Sequence, residues 1–252
     1  MMLGLVTYNV AKDWDLETVI QKLEAAGFDA VELRTTHKHG VEPSLSREER
    51  VRVRDRFGRS KLRLAGLGTV CEFHSPDAAV RSQNVAECHR FIELAHDIGA
   101  FGVKVRPNGF PPGVPRETTL ARIGEALRQC GEYGERFGVE VWLEVHGRET
   151  QDPPNIQAMM KACRHPAVGV CWNSNPTDVV DGSVKRNFEL LRPYLKSCHI
   201  NELSSSYPWR ELFTLMRQSG YDRWTLCEVQ ESKEPERFLG YYRALWRELN
   251  RA

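Results

Sequence analysis

Short alternating apolar runs recur along the chain, and each is followed by a longer stretch whose apolar residues return every third or fourth position. In the clearest run, Val139, Val141, Leu143 and Val145 alternate with other residues between Gly138 and Gly147. A period of two marks a half-buried strand, and a period near 3.6 marks an amphipathic helix. On this basis strands are expected at 3–8, 28–33, 62–70, 101–105, 138–147, 168–173, 195–199 and 224–228. Leu16, Val19, Ile20 and Leu23 place a first helix after Asp15, whose side chain can cap it, and Gly27 ends it. Ser46 and Glu49 fit a capping box for a second helix. Further helices are expected at about 78–98, 118–137, 155–164, 184–195, 209–219 and 235–249.

Eight strands in strict alternation with eight helices imply a parallel sheet. No linker or low-complexity segment divides them, so residues 1–252 read as a single domain. The 252 residues match the roughly 250 that close a (β/α)8 TIM barrel. The first strand is not followed by Gly-x-Gly-x-x-Gly, which weighs against a doubly wound dinucleotide-binding sheet. In a barrel the C-terminal ends of the strands converge on one face, and that face carries the chemistry.

Composition narrows the partners. Charged residues make up 27% of the chain and the formal net charge is +1, which gives no global field for nucleic acid or an anionic membrane. The arginine-rich second helix is interrupted by Glu48, Glu49 and Asp55, and reads as a solvated outer face. No apolar run approaches a membrane span, and the first residues lack the basic and apolar regions of a signal peptide. Seven cysteines, an odd number with no Cys-x-x-Cys, fit reduced thiols in a cytoplasmic protein.

The candidate chemistry sits where apolar strands run out. Glu144, Asn173, His199 and Glu228 end the last four strands, at steps of 29, 26 and 29 residues, or about one βα unit each. A carboxylate at such a position needs a partner cation or a cleft. Two carboxylates, an imidazole and an amide oxygen suit Mn²⁺ or Mg²⁺ with open positions for substrate, ahead of Zn²⁺. Lys104 and Arg106 alternate at the end of the fourth strand, and Arg34 ends the second. Such rim cations could bind a phosphate or carboxylate of a substrate, or pair with Glu32 and Glu72. His37, His39 and His74 lie on loops at the same rim as a further polar wall.

With these residues the chain resembles the xylose-isomerase-like barrels, a family of sugar and sugar-phosphate isomerases and epimerases. The resemblance covers nearly the whole chain and is sharpest in Leu143-Glu144-Val-His146, Cys171-Trp172-Asn173, His199-Ile200 and the strand ending at Glu228. It implies one divalent metal held by Glu144, His199 and Glu228, with Asn173 where the family places an aspartate. An amide contributes an oxygen but no charge, so His146, on the same strand face as Glu144, is a candidate to complete the sphere as well as to contact substrate.

The resemblance implies proton transfer through an enediolate, with Glu144 and Glu228 as base and acid, on a small polyhydroxylated carbonyl compound that is neutral or anionic. A dehydratase or lyase of the same family and a sugar-binding barrel without catalysis are the alternatives. The family's apurinic endonucleases fit poorly, because Asn173-Ser-Asn-Pro176 replaces their Asp-x-x-His and no DNA-binding charge is present. A homodimer is compatible with the resemblance.

Overall fold

The alternation read from the sequence folds as eight βα units, and the computed structural model describes residues 1–251. Among these, the strands are β1 (Met2–Val6), β2 (Ala30–Arg34), β3 (Arg63–Glu72), β4 (Gly102–Arg106), β5 (Glu140–Glu144), β6 (Val168–Trp172), β7 (Leu195–Ile200) and β8 (Trp224–Cys227). The helices are α1 (Leu16–Ala26), α2 (Arg47–Gly58), α3 (Ala78–Ile98), α4 (Arg116–Phe137), α5 (Pro153–Cys163), α6 (Lys185–Leu191), α7 (Trp209–Gln218) and α8 (Pro235–Leu249). Every strand pairs in parallel with its neighbours in chain order, and β1 pairs with β8, which closes the (β/α)8 barrel.

The expected caps form. Asp15 accepts from the Thr18 amide at 2.8 Å, and the Ser46–Glu49 box is complete. Gly27, at φ 72°, takes the left-handed turn that ends α1 without a Cβ penalty. One helix departs from expectation. α6 ends at Leu191 rather than running to 195, because Pro193 offers no amide and its ring clashes with the carbonyl four residues back. A 3₁₀ turn, Arg192–Tyr194, replaces the last turn, and a second one, Pro176–Asp178, follows β6.

Two apolar cores result. The larger lies between the barrel wall and the helices and includes Leu5, Ile20, Leu33, Phe91, Leu127, Phe213 and Leu239. A smaller one, with Val6, Ala30, Ala65, Trp224 and Leu226, lies among the strands. Below the site, Glu140 gathers Lys196 and Arg223 and accepts from the Trp142 indole at 2.8 Å. The Trp142 ring then fills the space left by Gly66 and Gly102, where added Cβ atoms would lie 2.6 and 2.4 Å from it. By the period of two, Glu140, Trp142 and Glu144 stack along one face of β5, and the ring forms a floor beneath Glu144. All seven cysteines are free and buried, as their strand and helix positions imply. Among the described residues no helix is long and apolar enough to cross a membrane.

Candidate active site

Glu144 is the last residue of β5, His199 the penultimate residue of β7, and Glu228 follows the last residue of β8. Ligand atoms of these three converge within 4.8 Å of one another. His199 Nδ1 stands 3.5 Å from Glu144 Oε1 and 3.4 Å from Glu228 Oε2. Its other nitrogen, Nε2, is 3.1 Å from Oε2 of Glu32 on β2. A carboxylate only accepts, so Nε2 carries a proton toward Glu32, and Nδ1 faces the oxygens of Glu144 and Glu228. Nδ1 is buried without a hydrogen-bond partner.

Two carboxylate oxygens converging on this nitrogen call for positive charge there, either a proton on Nδ1 or a metal ion that takes the proton's place. Ligand atoms about 2.0–2.2 Å from an ion stand about 3–3.5 Å apart, which is the spacing seen here. The donor set therefore fits a divalent metal, and Glu32 supplies the outer hydrogen bond that fixes a ligating histidine.

The electrostatics are set by a fourth charge. Lys104, buried on β4, donates to Glu144 Oε2 at 2.7 Å. Burial alone would raise the Glu144 carboxyl, yet Lys104, His199 and His146 hold it well below the usual carboxylate range. Burial would lower Lys104, but Glu144, Glu32 and Glu228 raise it above its ordinary value. Burial also opposes charging of His199, and Cys171, Glu32 and Glu228 together outweigh it, so its pKa is raised. Glu228 differs from Glu144: its side chain is 19% exposed against 3%, and His199 is its ionic contact among the described residues. It faces the open mouth of the barrel.

The loop after β6 braces this arrangement. Asn173 follows the strand directly and is half-buried. Ser174, at φ 50°, donates through Oγ to the His199 carbonyl at 2.9 Å, and Asn175 donates to the Val145 carbonyl. Asp178 Oδ2 accepts from the Asn175 amide at 2.7 Å and from Tyr207 at 3.1 Å. The ends of β5, β6 and β7 are thereby tied together.

The remaining rim residues divide by what they touch. Arg106 donates to Glu72 Oε1 at 2.8 Å, and His74 Nδ1 lies 3.7 Å from the other oxygen of Glu72. His74 also lines a cavity of about 540 Å³ with Asn108, Phe110 and Arg148 beside the site. His146 is half-buried, its pKa lowered by that burial, and its Nδ1 has no partner; it is not among the three converging residues. His39 is buried, with Nε2 on the Arg34 carbonyl at 2.8 Å and Nδ1 accepting from the Val41 amide. Both of its nitrogens serve the loop. His37 and Arg34 contact each other at 3.4 Å at the opposite side of the mouth. Lys104 lies inside the barrel rather than at the rim.

Sequence reasoning named Glu32 only as a partner for cations. The signal for more was present, since Glu32 sits between Val31 and Leu33 in a buried strand just as Glu144 does between Leu143 and Val145.

The chain belongs to the xylose isomerase-like TIM barrel family, whose model matches residues 20–245. Among solved structures it is similar to D-psicose 3-epimerase with D-tagatose from Clostridium cellulolyticum H10, at 15% identity, a TM-score of 0.85 and full coverage of both chains. It is also similar to 3-keto-D-glucoside 4-epimerase from E. coli, at 15% identity and a TM-score of 0.82, over 98% of this chain and 99% of that one. A third similar structure is a protein named IOLI with a bound zinc atom, at 14% identity and a TM-score of 0.79, over 99% and 96%. At these identities the likeness is one of fold.

Proposed function

We propose that this barrel is a divalent-metal-dependent isomerase or epimerase of a small polyhydroxylated carbonyl compound. The observation that carries the reading is His199 Nδ1, buried, unpartnered and aimed between two carboxylates. The sugar epimerases among its structural neighbours support the same class. Glu144, His199 and Glu228 would hold the ion, with the Asn173 amide oxygen as a further donor. When bound, the ion would polarise the substrate carbonyl and acidify the neighbouring C–H.

The protein's own groups divide the remaining work. Glu32 keeps His199 in one tautomer and one orientation. Lys104 keeps Glu144 ionised and fixed, while Trp142 closes the floor beneath it against water. Glu228, the more exposed carboxylate, takes the proton from the substrate carbon on one of its oxygens as the C–H electron pair moves toward the carbonyl oxygen. Because Glu144 is held ionised, water rather than Glu144 returns a proton to the opposite face of that carbon, the hydroxide left behind taking the proton from Glu228, and the result is epimerisation. Return to the adjacent carbon gives aldose–ketose isomerisation.

One observation favours a second reading. Lys104 already neutralises Glu144, and Asn173 contributes no charge, so the pocket also suits a sugar-binding barrel that holds no ion. Metal content of the protein and of Glu228→Ala, after dialysis against Mn²⁺, Mg²⁺ and Zn²⁺, separates the two. About one ion per chain in the protein and little in the variant is expected, with solvent deuterium entering a ketose in the presence of that ion. The absence of any ion from both proteins would sink the metal-dependent reading.

A further inference from the structure

Arg34 ends β2, two residues beyond Glu32, and it is held in an unusual way. Its guanidinium lies 5.4 Å from the centre of the Tyr8 ring, and Nη1 contacts His37 Nε2 at 3.4 Å. Because the arginine donates, His37 Nε2 accepts, and Nδ1–H donates to Thr7 Oγ1 at 3.2 Å. Burial and the Arg34 charge hold His37 down to about 4, so it is neutral at ordinary pH. No carboxylate oxygen lies within 4.0 Å of the guanidinium among the described residues, whereas Arg106 across the mouth is spent on Glu72. Two neutral groups therefore orient Arg34 and leave its charge uncompensated. A half-buried cation set this way is free to pair with an anion arriving from solvent.

A second observation lies in the same place. Glu32 is fully buried, and its Oε1 has no hydrogen-bond partner. A Cβ added at Gly68 of β3 would lie 2.7 Å from this oxygen and 3.6 Å from the Arg34 Cβ. The glycine makes room for this oxygen beside Arg34. Along a strand, residues two apart are separated by about 6.6 Å, which the carbon chain of a pentose or hexose spans.

We propose that the site takes a sugar with a terminal anionic group, phosphate or carboxylate, which pairs with Arg34 while a hydroxyl of the chain donates to Glu32 Oε1. The proposal rests on the isomerase or epimerase reading for the reacting end of the molecule. The anionic end is recognised by a bidentate guanidinium fork, which suits either oxyanion.

The test compares three ligands with one carbon skeleton: D-fructose, D-fructose 6-phosphate and D-fructuronate. Binding of each is measured by titration calorimetry to the metal-loaded protein, Arg34→Met and Arg34→Lys. At least tenfold tighter binding of one anionic ligand over fructose is expected, and which anion wins identifies the oxyanion. The preference collapses in Arg34→Met and is partly restored in Arg34→Lys. Should Arg34→Met fail to fold, the preference of the unaltered protein and its loss in 0.5 M NaCl, against about 0.05 M, make the decision. Equal or undetectable binding of all three, or a preference that survives Arg34→Met, overturns the proposal. Deuterium exchange is read in parallel: exchange without an anion preference overturns the subsite alone. An anion preference with no exchange into any of the three overturns the isomerase or epimerase reading alone.

Discussion

Asp178 is a carboxyl that burial pushes up to about 7, while hydrogen bonds from Asn175 and Tyr207 work in the opposite direction. In an unfolded chain an aspartate titrates near 3.9. Between these values the folded state binds the extra proton, so stability falls as pH rises from about 4 to about 7, and the loss is complete above that. Asp178→Asn keeps an acceptor for Asn175 and Tyr207 and removes the charge. Its expected advantage over the unaltered protein is a few kcal/mol at pH 8, at about 1.4 kcal/mol for each pKa unit, and shrinks toward zero at pH 4. Denaturant unfolding at several pH values reads this directly, and an advantage that does not change with pH counts against it. At this scale Glu144, His199 and Glu228 were legible because each stands alone where an apolar run stops. Lys104 on Glu144 and Glu32 on His199 were not, because they join strands 40 and 167 residues apart in sequence, and only the barrel's register brings them together.

Strands and helices were read in number and order from periodicity, and the misreadings fall where backbone chemistry overrides it. Residues 192–195 keep an apolar spacing that suits a helix, but Pro193 withholds the amide that the last turn of α6 needs. Strand glycines carried another unread message. Gly66 and Gly102 weaken β3 and β4 as isolated strands, yet both are required by the Trp142 ring that β5 sends across them. Gly102→Ala is therefore expected to cost about 1–3 kcal/mol through overpacking. That should lower the melting temperature by several degrees, at about 2–4 °C per kcal/mol for a chain of this size. Gly58, which ends α2 with nothing within 4 Å of an added Cβ, is the control, and Gly58→Ala should be neutral or slightly stabilising. Calorimetry of the two variants side by side decides whether the tryptophan floor is as tight as the geometry demands.

Across the whole molecule, strict alternation and a length near 250 residues made the barrel legible, whereas its closure rests on β1 pairing with β8, a contact between the two ends of the chain. Because of that closure, no thiol has a route to solvent through an open sheet edge. Cys71, Cys171, Cys198 and Cys227 lie on strands, Cys88, Cys130 and Cys163 on helices, and all seven are buried. Burial raises the pKa of Cys163, Cys171, Cys198 and Cys227, which further suppresses the reactive thiolate. The cysteines thus form a built-in clock: an aromatic disulfide reagent can modify them only in molecules that have opened. A ligand that binds only the closed form lowers the open population by about 100-fold when present at 100 times its dissociation constant. Saturating divalent metal should slow the chromogenic reaction by about that factor, and chelation should restore the faster rate. Glu228→Ala should tick at one speed with and without the ion.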